Sequence, residues 1–130
     1  MEFSQILLYA HSGLRWIVVL VSLVTLALLV IRLIQNGTVD KTLRMLLRVF
    51  SAVIGIQVLL GIILLIARGT WLSHEIEHAV IMIIAIVVSN GYMAFRKRGD
   101  RAYIVSALIS MLLTLGLIYL GVARLPQGWS

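Results

Sequence analysis

Residues 43–67, which read LRMLLRVFSAVIGIQVLLGIILLIA, decide the fold class of this chain. The stretch has no charged residue from Val49 to Ala67, and it is longer than the roughly 20 residues that a helix needs to cross a bilayer core. Similar apolar runs cover residues 5–34, 74–96 and 101–124. The sequence therefore predicts an all-α integral membrane protein with helices at about 5–34, 43–67, 74–96 and 101–124.

The composition of the whole chain agrees with this interpretation. Apolar residues make up 62% of the 130 residues and the mean hydropathy is +1.09, values outside the range of soluble domains. The length predicts a single transmembrane domain over residues 1–130. Because cysteine is absent, disulfides, iron–sulfur clusters and cysteine–zinc sites are excluded. The net charge is +6, and most of the charged residues flank the apolar runs. Because they do not form a basic face with interleaved aromatic residues, nucleic-acid binding is not expected.

Short polar segments separate the runs and supply signals for helix starts. Asp40, Ser73 and Asp100 precede or open the second, third and fourth runs, and each is predicted to be an N-cap. The only proline, Pro126, lies beyond the last run, so no proline kink is expected. Four helices joined by short connections predict an up-and-down bundle.

The distribution of basic residues predicts the orientation of this bundle. The connections between helices 1 and 2 and between helices 3 and 4 hold Arg32, Lys41, Arg44, Arg48, Arg96, Lys97, Arg98 and Arg101. The opposite side holds only Arg15, Arg68 and Arg124. Because basic connections remain cytoplasmic, both termini are predicted to lie outside, which is the periplasm for a bacterial inner membrane. The three tryptophans, Trp16, Trp71 and Trp129, also lie toward the outer side, as in an aromatic belt.

Two histidines are the leading candidates for a functional site. His11 and His78 lie one to two turns inside helices 1 and 3, which both start at the outer surface and therefore place the two residues at nearly the same depth. An ionisable residue inside a membrane is costly and suggests function. Haem iron takes two axial ligands, and helix bundles build such sites from facing helices. Arg15 could neutralise a haem propionate or pair with Glu77, and Gln57 lies at a similar depth.

A second motif competes for the same helix. Residues 74–78 read His-Glu-Ile-Glu-His, which fits the HExxH pattern of zinc metalloproteases with Glu75 as general base. The chain offers no substrate cleft or sheet edge, and this context does not favour a hydrolase. A non-catalytic metal site of His11, His74, His78 and Glu77 stays open, as does His74 as the alternative haem ligand. The histidines could also be ordinary interfacial residues that bond to their neighbours.

The chain resembles a family of short, four-helix bacterial membrane proteins labelled cytochrome b-like. The matching segments are His11-Ser12, Leu14-Arg15-Trp16, Gln57-Val58-Leu59-Leu60-Gly61, Glu77-His78, Met82, Ile84-Ala85, Asp100 and Arg124-Leu125-Pro126. The resemblance implies a b-type haem held by His11 and His78. His74 is not part of the family pattern, and Gln127-Gly128 separates Pro126 from Trp129 where the tail departs from it.

These observations leave several functional hypotheses. The first is a small b-type cytochrome, which would be an electron carrier more than a stand-alone enzyme. It would move electrons between membrane quinol and an outer acceptor, and Gln57 and Glu77 would orient the haem ligands. The second is a non-catalytic accessory subunit of a respiratory or photosynthetic complex. The third is a metal-binding membrane protein that uses His74 and His78. A quinone site is a variant of either of the first two, formed by Arg15, Gln57, His78 and Tyr119. Self-association of the bundle stays open.

Overall fold

The structure, a computed structural model, describes residues 3–69 and 72–123. It contains four long helices, α1 (Phe3–Ile34), α2 (Lys41–Arg68), α3 (Ser73–Ser89) and α4 (Asp100–Ala123). The described segments contain no strand. All four helical segments are long and apolar enough to cross a membrane when α3 is counted with the short turn that follows it. The prediction of an all-α chain with four apolar helices is confirmed.

The connection between α1 and α2 follows the polar signals in the sequence. Asp40 is the N-cap of α2, and its Oδ1 accepts a hydrogen bond of 3.0 Å from the backbone N–H of Leu43, which satisfies one of the unpaired donors at a helix start. At the other end of α2, Gly69 adopts the left-handed conformation with φ 73°, which a residue without a Cβ takes without strain.

The third helix differs from the prediction of one helix over 74–96. It ends at Ser89, and a 3₁₀ turn, Gly91–Phe95, follows. The side chains of Ser89 and Asn90 both donate to the carbonyl oxygen of Ile86, at 2.7 and 3.0 Å. Such bonds compete with the helical backbone pattern, and the glycine that follows adds little helical preference. Two side chains therefore terminate α3 before the apolar run itself ends.

Two of the three predicted N-caps are wrong. The cap of α3 is Leu72 and has no side-chain hydrogen bond, since Ser73 is already the first helical residue. Asp100 is likewise the first residue of α4, and its Oδ2 instead accepts a hydrogen bond of 3.1 Å from Val39 in the α1–α2 connection. The carboxylate of Asp100 is thus used for a contact between connections that are far apart in sequence.

The helices pack most closely as two neighbouring pairs. α1 lies chiefly against α2 and α3 against α4, with smaller contacts between α1 and α4 and between α2 and α3. Phe50, Leu29, Ile104 and Met111 are among the largest side chains of the core, each at most 2% exposed. Only 17% to 33% of the most apolar part of each helix is buried within the chain. The remaining apolar surface is what a lipid-facing bundle displays.

The two basic connections meet at one end of the helices. Besides the bond from Val39 to Asp100, Arg101 Nη1 donates to Asn36 Oδ1 at 3.2 Å. Arg32 forms an ion pair with Asp40, with Nη2 and Oδ2 2.6 Å apart. The first two contacts join the α1–α2 connection to the start of α4. We call this end, with the connections 35–40 and 90–99 and the basic residues in and beside them, the basic end.

The N-cap of α2 leads to a prediction about acid sensitivity. The hydrogen bond from Leu43 and the bond from the Arg32 guanidinium hold the pKa of the Asp40 carboxyl below its ordinary value of 3.8. The stabilisation is fully present above the pKa of the unfolded state and is lost as the pH falls through the lower pKa of the folded state. Thermal unfolding in detergent, followed by circular dichroism from about pH 6 to about pH 2, should show this loss.

The matched variant is Asp40→Asn, which keeps an oxygen that can cap the helix but carries no charge. Its melting temperature should change less with acid than that of the wild-type protein. An identical pH dependence in the two proteins would show that Asp40 contributes nothing to acid sensitivity.

Candidate functional site

His11 lies on α1 toward the end of the molecule opposite the basic end, and its side chain is half-buried. The ring packs against α2 at Gly61, where an added Cβ would come within 3.2 Å of the ring carbon Cε1. The absence of a side chain at this position allows the imidazole to approach the backbone of α2 closely. The ring nitrogen Nδ1 of His11 is buried and has no hydrogen-bond partner in the described part of the chain.

Gln57 joins α2 to α1 one turn before Gly61. Its Nε2 donates a hydrogen bond of 2.7 Å to the backbone carbonyl oxygen of His11. Its Oε1 is buried and unpaired among the described residues. The predicted proximity of Gln57 to His11 is therefore present: Gln57 bonds to the backbone carbonyl of His11 and also interacts with its side chain. A buried acceptor without a donor is costly, so this layer has unused hydrogen-bonding capacity.

His78 lies on α3 and is held by α4. Its Nδ1 lies 2.7 Å from the carbonyl oxygen of Gly121. Because a carbonyl oxygen only accepts, Nδ1 carries the hydrogen in this contact, and Nε2 of the neutral ring keeps its lone pair. Histidines that bind metals usually donate their other ring N–H to a carbonyl or carboxylate in this way. The arrangement orients one imidazole nitrogen of His78 as a potential ligand.

The two imidazoles belong to one region of the molecule. His11 and His78 are close enough to interact electrostatically, although each ring packs against a different neighbouring helix. Among the described residues, Nδ1 of His11 is buried without a partner, and the hydrogen bond of His78 engages Nδ1 and not Nε2. Two imidazoles with unengaged nitrogens are the ligand set that a six-coordinate b-type haem requires. The residues present fit such a group in the chemistry of their donor atoms.

Arg15 lies one turn along α1 from His11 and forms no ion pair with any described acid. Its Nε is buried and bonds to no residue that the structure describes, and its guanidinium carbon lies 5.2 Å from the centroid of the Trp16 ring. Glu77, which the sequence paired with it, has an exposed side chain. Arg15 is thus a cation in the histidine layer that no described carboxylate neutralises.

The zinc motif is not assembled as a metal site. Among residues 3–69 and 72–123, no three histidine or acidic side chains are placed to hold one metal ion. His74 is half-buried near the start of α3. Glu75, the general base of the motif, pairs with Arg68 at 3.5 Å. The set of His11, His74, His78 and Glu77 is therefore not brought together around a common point.

One residue of the quinone variant lies at the surface of the helices. Tyr119 is 65% exposed, whereas Gln57 and His78 are half-buried between helices. Its side chain does not line the interior with them. Trp71, Trp129, Arg124 and the proline segment lie outside the described residues, so their proposed roles at the outer surface stay predictions.

Sequence reasoning missed the partners that position the histidines. The acceptor for His78 is a backbone carbonyl at Gly121, and every residue has such an oxygen, so no sequence signal marks it. The ion pair between Arg68 and Glu75 bridges the connection from α2 to α3. The sequence does indicate this pair, because two residues of opposite charge lie on either side of one short connection.

Comparison with known proteins adds no family assignment to this geometry. No protein-family model, curated protein or solved structure matches the chain.

Proposed function

We propose that the chain is a small b-type cytochrome of a bacterial inner membrane, in which His11 and His78 hold one haem. The single observation that carries the proposal is the pair of imidazoles in one layer, with His78 oriented by the carbonyl of Gly121. A single histidine near a helix end is accounted for by one hydrogen bond from its ring to a neighbour. Two neighbouring imidazoles inside an apolar bundle, each with a nitrogen that bonds to no described residue, favour a shared ligand.

The proposed topology is an up-and-down bundle with both termini on the outer face. Contacts of His11 with Gly61 and of His78 with Gly121 join the start of one helix to the end of the next. The bonds between the α1–α2 connection and the start of α4 support the same arrangement from the other end. The excess of basic residues at that end supports its cytoplasmic placement, which leaves the histidines in the outer half of the membrane.

The chain contributes position, polarity and charge to the proposed site. Gly121 fixes the tautomer and direction of the His78 ring, and Gln57 anchors the backbone of His11. The guanidinium of Arg15 is available to neutralise a propionate, since no described acid pairs with it. A haem bound there would supply reversible one-electron transfer, and the apolar helices around it would exclude water and influence its potential.

The test is an absorption spectrum of the full chain, purified from membranes of cells supplied with haem. We expect a Soret band with the α and β bands of a low-spin, bis-histidine haem, and a pyridine haemochrome of the b type at about one haem per chain. Protein that stays colourless under these conditions, or that contains stoichiometric zinc instead of iron, contradicts the proposal.

A further inference from the structure

The basic end contains a cavity that the proposed cytochrome does not use. Its volume is about 470 Å³, and it lies between α2, the 3₁₀ turn after α3, and the start of α4. Four cationic side chains from these segments line it, namely Arg44, Arg48, Arg96 and Lys97. The size falls within the range of small-molecule sites.

In the described part of the chain, no acidic side chain at the cavity compensates its positive charge. No acidic residue lines it, and the two ion pairs among the described residues, Arg32–Asp40 and Arg68–Glu75, lie elsewhere. Arg44 and Arg48 are four residues apart on α2, where like charges on one helix face repel. Bringing further cations from the segment after α3 to the same concavity adds to that repulsion. An anion bound between them would relieve it.

The cavity also offers neutral hydrogen-bonding groups. Tyr92 and Tyr103 form an edge-to-face pair with ring centroids 5.5 Å apart, and both side chains are buried. Arg48 lies close enough to interact electrostatically with both hydroxyls, and neither hydroxyl bonds to a described residue. Ser51, which also lines the cavity, has a buried Oγ without a hydrogen-bond partner among the described residues.

We propose that this cavity binds a phosphate group, with an anionic phospholipid headgroup as its source. Basic residues beside membrane helices follow from topology alone. Topology does not require cations from separate segments to converge on one concave site together with unpaired hydroxyls. The cavity lies at the ends of apolar spans, the level of lipid phosphates, and guanidinium groups bind phosphate oxygens in a bidentate manner. A soluble organic phosphate offers the same chemistry, so the experiment separates the two sources.

The test uses the full chain in nanodiscs of phosphatidylcholine that contain increasing fractions of phosphatidylglycerol. Bound lipid is counted by native mass spectrometry after gentle release. The variant is Arg44→Gln with Arg48→Gln, and the matched control is Lys41→Gln with Arg98→Gln, which removes two charges at the same end but none from the cavity lining. We expect phosphatidylglycerol binding to weaken about 30-fold in the variant, because it loses two direct hydrogen-bonded contacts to the phosphate at about 1 kcal/mol each. The control should weaken binding less than about threefold, since its two charges lie outside the cavity and salt screens their attraction. Equal losses in the two proteins would overturn the proposal.

Two further measurements cover the remaining outcomes. If the double arginine variant does not fold, Ser51→Ala with Tyr103→Phe keeps every charge and should weaken phosphatidylglycerol binding several-fold; unchanged binding would overturn the site. Glycerol 3-phosphate is titrated calorimetrically into the protein in pure phosphatidylcholine nanodiscs. Saturable binding of glycerol 3-phosphate, together with no preference for phosphatidylglycerol, would identify the ligand as a soluble anion. That result would overturn the assignment of a lipid as the source of the phosphate.

Discussion

In the proposed cytochrome, replacement of His78 by alanine is expected to remove bound haem almost completely. The ring is oriented by the bond from Nδ1 to the carbonyl of Gly121, which leaves Nε2 as the nitrogen that could bind the proposed haem iron. If His11 and His78 hold a haem as proposed, the substitution would remove one of its two protein ligands. We expect the ratio of Soret to protein absorbance to fall at least about tenfold, the lower limit for losing a supporting metal contact. His11→Ala should have an effect of the same order.

The matched control for this variant is His74→Ala. His74 lies on the same helix one turn earlier and is not held by a backbone carbonyl in the described structure. Its replacement should leave the Soret band and the haem content unchanged. If His74→Ala loses haem and His78→Ala keeps it, the ligand on α3 is His74 and the assignment here is wrong. If both keep haem, histidines of α3 do not bind it.

Replacement of Gly121 by leucine is expected to cause the largest loss of stability of any single substitution considered. A Cβ at this position would overlap the methyl group of Met82 and lie 3.2 Å from a methyl group of Ile81 and 3.4 Å from Nδ1 of His78. The methionine can move aside, but the other two neighbours are constrained by α3. Overpacking of this kind costs about 1–3 kcal/mol and occasionally more. The separation of α3 from α4 should also break the bond to His78.

Gly116→Leu is the control, because Gly116 lies on the same helix and an added Cβ there would have no neighbour within 4 Å. Leucine favours a helix over glycine by up to about 1 kcal/mol, so this variant should unfold at the same or a higher denaturant fraction. Unfolding in mixed detergent micelles of increasing dodecyl sulfate content, followed by circular dichroism, compares the two. Equal stability of Gly121→Leu and Gly116→Leu would show that α3 and α4 do not approach closely at this point.

The sequence predicted some features of the candidate site and not others. The equal depth of His11 and His78 followed from counting residues along helices that start at one surface, and the two imidazoles do share a region of the structure. Glu77 was grouped with them by proximity in sequence, yet its side chain is exposed. Neighbours along a helix point in directions about 100° apart, and the rotation of a helix about its own axis depends on its packing partners.

Helix starts and ends were predicted with uneven success for a similar reason. Asp40 caps α2 with its own side chain, an interaction confined to four consecutive residues. Asp100 instead accepts a hydrogen bond from Val39, which lies in the α1–α2 connection. Nothing in the sequence around Val39 indicates this contact. The end of α3 at Ser89 results from local side-chain bonds to Ile86. In this case the two polar residues inside an apolar run could have indicated the end of the helix.

The number of spanning helices and the membrane class were determined by the sequence itself. Hydropathy is a property of each residue, and a run of about 20 apolar residues must become a helix in lipid because its backbone has no other hydrogen-bond partners there. The contact of His78 with the carbonyl oxygen of Gly121, and the arrangement of four cations around one cavity, depend on how the helices pack. In lipid, helices of similar apolar character gain little from one pairing over another, so close packing and a few polar contacts select the arrangement.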